Sequence, residues 1–165
     1  MQRLIWTTIF LIAFSLPAWA QESFDNMYCS DYHSTPVKVV SDSSARKLSE
    51  SNTTAGGGSV IRINSGQLND LSNNARSFAV NFSCARLVLG HLVKGAESIQ
   101  EHFDQVENAD CWAVGKLFYT NRIDKDGITA LEEEINQLNR KQWSHFPGPV
   151  RVVSLNDTCK LKPLK

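Results

Sequence analysis

The chain has 165 residues, 17 basic against 17 acidic, with no block of like charge; that length suits one domain with one core. A balance of this kind lacks the basic face that nucleic acid demands. Its four cysteines, none in a C-x-x-C spacing, argue against a zinc knuckle or a dithiol redox pair.

The first twenty residues read as a cleavable export signal. Arg3 supplies the positive start, Leu4 to Leu16 form a mostly apolar run, and Ala18 and Ala20 place small residues before a cut ahead of Gln21. The run is shorter than the roughly 20 apolar residues of a spanning helix, and Pro17 lies near its end. No later segment is apolar enough to span, so the mature protein is expected to be secreted or periplasmic, without a membrane span. Only Arg3 leaves with the signal, so 17 − 1 gives 16 basic residues against 17 acidic in the remainder. In an exported chain, Cys29, Cys84, Cys111 and Cys159 predict two disulfides, and three pairings are open.

Residues 21–59 read as an extended N-terminal segment. Ser41 to Ser59 is rich in Ser, Thr, Asn and Gly and ends in Gly56-Gly57-Gly58, the composition of a mobile loop. Val60 to Asn64 reads as a short β-branched strand stopped by Ser65-Gly66. Leu68, Leu71, Ala75, Phe78, Phe82, Ala85, Leu89 and Leu92 then recur at steps of three and four. They predict one apolar stripe on a helix over about 68–93, with breaks possible at Ser72-Asn73-Asn74 and at Gly90. A second helix is predicted over 96–119, with Ile99, Phe103, Val106, Ala113 and Leu117 inward. A third is expected from Thr129, where Glu132 gives capping-box spacing, burying Leu131, Ile135 and Leu138. Pro147-Gly148-Pro149 reads as a turn, followed by Val150 to Val153 and a tail to Cys159.

The order of these pieces resembles the secreted zincin metallopeptidases, whose HExxH helix is followed by a helix carrying a glutamate ligand. Relatives with cysteines read roughly H-E-C-x-H-x-x-L-G-H and then E-x-x-x-D-C-W-A. Here Cys84, Leu89, Gly90 and His91 match the first motif, and Asp110, Cys111, Trp112 and Ala113 match the second. The tail from His145 to Arg151, running on to Cys159, is similar as well. The resemblance spans 60–159 and implies an α+β fold: a small sheet against about three main helices, a zincin-like domain over 60–165, and two disulfides. It favours Cys84–Cys111 between the two helices, which leaves Cys29–Cys159.

HExxH works because positions four apart share a helix face, so two imidazoles converge on one zinc while the glutamate reaches its water. The alignment puts Phe82 and Arg86 at the histidine positions, Ser83 at the general base and Val106 at the third ligand. None of these binds zinc or takes a proton as glutamate does. A shift of one residue would make Glu107 the relic ligand, still without an imidazole. The resemblance therefore implies a non-catalytic protein with no metal or cofactor, binding a protein or peptide partner in the former cleft. Arg86, His91 and Asp110 are its candidate binding residues, with Arg86 the recognition group for a carboxylate. A divergent metallopeptidase with unusual ligands, drawn from His91, Glu101, His102, Glu107 and Asp110, is the enzyme-class alternative, and a structural envelope protein is the third. Asp124 to Gly127 does not read as a calcium loop, because Arg122 would occupy its first ligand position. No G-x-S-x-G elbow is present for a serine hydrolase.

Overall fold

The computed structural model describes residues 28–54 and 56–162, so the signal segment lies outside the described residues. It is an α+β fold, with three strands and six helices among those residues. The strands are β1 (Lys38–Ser41), β2 (Ser49–Thr53) and β3 (Ser59–Ile63). The helices are α1 (Asn73–Val88), α2 (His91–Lys94), α3 (Ile99–Tyr119), α4 (Lys125–Asn136), α5 (Arg140–His145) and α6 (Leu155–Thr158). The sheet has order β1-β3-β2, with β1 parallel and β2 antiparallel to β3. The expected strand is therefore central, and its alternation buries Ile61 and Ile63 on one face.

The loop expected over 41–59 is corrected by β2, which pairs with β3 from Ser49↔Ile63 to Thr53↔Ser59. Its sequence, SESNT, carries no apolar residue, so composition hides it; long-range pairing and the buried Ser49 side chain hold it in place. The triple glycine serves the turn of this hairpin, with Gly57 at φ 79 and the Thr54 and Gly58 backbones bonded across it. Asn64 Nδ2 donates to the carbonyls of Ser43 and Ala45, which fixes the approach to β2.

Helix α1 is shorter than predicted and buried on two faces. Ser72 caps its start, accepting from Ala75 N–H, and Gly90 ends the run in a left-handed conformation. Phe78, Phe82 and Ala85 join the larger core with Val106, Ala109 and Ala113 of α3. Val80, Cys84 and Leu87, at helical spacing on another side, pack against Ile61 and Ile63 of the sheet. One stripe was predicted; α1 has two, because it is sandwiched between sheet and helices.

That second face overturns both expected disulfides. Cys84 bonds Cys29 and Cys111 bonds Cys159, with Cα separations of 5.9 and 5.1 Å. Cys84 lies on the sheet side of α1, away from Phe82 and the α3 contact, so it does not meet Cys111. Each bridge closes a span of about 50 residues, worth ~4 kcal/mol in the chain-entropy account. Two formed disulfides fit an exported protein. No helix among the described residues is long and apolar enough to cross a membrane.

Two further expectations change. In α3, burial begins at Val106; Ile99 and Phe103, predicted inward, are 78% and 51% exposed because no other element covers the first two turns. Helix α4 starts at Lys125, not Thr129: Asp124 is the N-cap and accepts from Gly127 N–H, while Thr129 Oγ1 donates to the Lys125 carbonyl within the helix. The capping box that does form is Asn139 with Gln142, at the head of α5, and it delivers Trp143 and Phe146 to the core.

Candidate functional site

A cleft of about 410 Å³ opens between β2, α1, the start of α3 and the 147–149 turn. Strand β2 contributes Ser49, Glu50, Ser51 and Asn52; α1 contributes Phe82, Ser83 and Arg86; His102 comes from α3. It thus contains three of the four positions, Phe82, Ser83 and Arg86, that the resemblance aligns with a zinc site. The fourth, Val106, lies in the core with Phe82 and lines a neighbouring hollow instead.

Each aligned residue has a defined state. Phe82 is fully buried, with the Arg151 guanidinium 4.8 Å from its ring centroid. Ser83 Oγ lies 2.8 Å from Ser49 Oγ, whose hydrogen goes to the Ala79 carbonyl, so Ser83 is the donor of this pair. It is spent on joining α1 to β2 and has no base beside it. Phe82 and Val106 offer only carbon and Arg86 a cation, so these residues do not fit zinc. Among the described residues no three His, Cys, Asp or Glu side chains come together as a metal site.

Arg86 is half-buried, and burial alone pulls its pKa down from the ordinary arginine value, with no carboxylate acting against it. Neither ion pair among the described residues involves it. Lys47 stands near it, donating from Nζ to the carbonyls of Phe146 at 2.6 Å and Gly148 at 3.1 Å. Burial lowers the Lys47 pKa; Arg151 and Arg86 lower it further, while Glu50 opposes them. Glu50 in turn accepts from the Arg46 and Lys47 backbone N–H groups. The cleft lining therefore holds two cations, Arg86 and Lys47, against one carboxylate, Glu50. Ser51 Oγ and Asn52 Nδ2 are buried without partners in the strand that lines it.

The other two candidate binding residues stand elsewhere. Asp110 is buried in a bidentate pair with Arg151, whose Nε donates to Oδ2 at 2.8 Å and whose Nη2 donates to Oδ1 at 2.5 Å. Burial raises the Asp110 pKa and Arg151 draws it back. Arg151 Nη1 also donates to the Pro149 carbonyl at 2.9 Å, so the pair ties α3 to the turn that walls the cleft. Asp110 lines the neighbouring hollow, and both its carboxylate oxygens are taken by Arg151. His91 follows Gly90 outside the cleft lining; burial lowers its pKa, helped by Arg86 and Lys94. Lys47, Ser51, Asn52 and His102 were not anticipated. The residues of β2 fall in a stretch whose composition indicates only a loop, and the sequence offers His102 only as a metal ligand.

Comparison with family models, with curated proteins and with solved structures finds no match for this chain.

Proposed function

We propose that this is an exported, non-catalytic binding protein that takes a carboxylate-bearing segment of a protein or peptide in the cleft beside Arg86. The observation that carries this reading is a half-buried guanidinium that lines the cleft without an ion-pair partner, next to a second half-buried cation, Lys47. Partial burial of an unpaired charge is unfavourable, and a bound carboxylate would offset that. Strand β2 is the outer strand of the sheet on the cleft side, and an extended segment can bond to such an edge. The metallopeptidase resemblance gives the cleft an ancestry: a zinc site whose ligand positions became core at Phe82 and Val106 and a carboxylate receptor at Arg86.

Selection from a random peptide library on the oxidised protein tests the function. Recovered peptides should share a carboxylate, and Arg86→Gln should weaken them at least tenfold. Peptides that bind R86Q unchanged would overturn the reading. The ancestry has its own test. The variant F82H/S83E/R86H/V106E should take up about one equivalent of zinc, and failure to do so while folded would remove that part.

A further inference from the structure

The cleft continues into an apolar surface on α3. His102 lines both the cleft and a shallow depression beside it, which also holds Ile99 and Phe103. Phe103 in turn lines a third hollow with Val152, floored by Val106 and the Cys111–Cys159 bridge. Ile99 and Phe103 are four residues apart and share one helix face. Val152 is 85% exposed, so all three side chains stand in solvent. Three connected hollows thus run from a basic end at Arg86 to an apolar end at Phe103 and Val152, an exposed patch of the kind that marks an interaction site.

Charge limits what can cover it. Glu97, Glu101, Asp104 and Glu107 stand exposed on and before the first half of α3, and no Lys or Arg occurs between Lys94 and Lys116. An anionic lipid surface would be repelled there, since surface-bound amphipathic helices carry Lys and Arg on the polar face. Self-pairing of the ridge about a two-fold axis would set these acids against their own copies.

We propose that the track receives an extended segment of a partner protein with its carboxylate at Arg86, apolar side chains over Ile99, Phe103 and Val152, and Lys or Arg beside the acids of α3. This rests on the carboxylate-binding reading and adds the partner's polarity and its order along the track.

The test uses peptide libraries displayed with free and with blocked C-termini on the oxidised full-length protein, followed by anisotropy titration of the best peptides. The two formats separate a chain terminus from an acidic side chain as the source of the carboxylate. Enriched sequences should combine the carboxylate with apolar residues and a Lys or Arg. I99S/F103S, at exposed positions, should keep the parent melting temperature and bind at least tenfold more weakly. Peptides weakened by R86Q but not by I99S/F103S would overturn the track and leave the cleft reading standing; no enrichment at all would remove both. A dimer in light scattering that I99S/F103S dissolves would assign the ridge to a second copy and overturn the proposal. Sedimentation with phosphatidylglycerol vesicles that the same variant abolishes would assign it to a membrane, with the same result.

Discussion

Asp110 and Arg151 show how much one pair of side chains can decide. Each is 8% exposed, and their bidentate contact holds the 147–151 turn against α3 while the guanidinium covers Phe82. Removing one partner strands the other charge. Arg151→Met should destabilise the fold by about 3–5 kcal/mol at pH 7 in urea denaturation. The Asp110 pKa is already raised by burial, and losing Arg151 raises it further. A folded-state pKa above the unfolded one favours the fold at low pH and loses that contribution as pH rises through it. R151M should therefore regain part of its deficit between pH 7 and pH 5; an equal deficit at both pH values would contradict this. Asp42 works in the opposite direction. Ser44 and Arg62 hold its carboxyl at about 2, so its contribution is present above pH 4 and fades as pH falls towards 2. Asp42→Asn should flatten that part of the acid-unfolding curve. The Asp110–Asp42 contrast is invisible in sequence, because both are aspartates in unremarkable surroundings until Arg151 and Arg62 arrive from distant positions.

At the scale of elements, boundaries followed local chemistry wherever the chemistry had one reading. The break at Gly90 was legible and has a second cause that was not: a Cβ there would meet the Tyr32 ring at 2.8 Å, as well as adopting φ 73. Gly90→Ala should cost more than the left-handed penalty of about 1–2 kcal/mol in thermal or urea unfolding, because the Tyr32 ring must also shift. Two capping boxes competed for recognition. Thr129 with Glu132 has the right spacing but sits inside α4, because Asp124 caps that helix one turn earlier. Asn139 with Gln142 has both reciprocal bonds. Asn139→Ala should cost about 1 kcal/mol and loosen the turn that presents Trp143. Strand β2 left little local mark, since only Thr53 in Ser-Glu-Ser-Asn-Thr favours a strand until β3 lies beside it.

For the whole molecule, the two disulfides report which faces of α1 and α3 meet which neighbours. Non-reducing peptide mapping should recover Cys29–Cys84 and Cys111–Cys159, and either of the other pairings would contradict the two-faced burial of α1. The metal prediction also belongs at this scale. Protein purified without chelator should carry no stoichiometric zinc, and added zinc should leave its melting temperature unchanged. One bound equivalent that raises it would revive the metallopeptidase alternative and direct mutation to His91, His102 and Glu107.

By itself the sequence determined the strand at Ser59–Ile63 and the three long helices that together make the α+β class, and the absence of any imidazole or carboxylate at 82, 83, 86 and 106. Those properties rest on periodicity and residue chemistry, which are local. Only the tertiary structure decided the cysteine pairing, the second buried face of α1, the existence of β2 and the uncovered start of α3. Each depends on which surfaces meet across long chain separations. The same holds for the site. Arg86 could be named from the sequence, but its want of a partner, the company of Lys47 and the apolar track leading away from it arise only when β2, α1, α3 and the 147–149 turn are packed together.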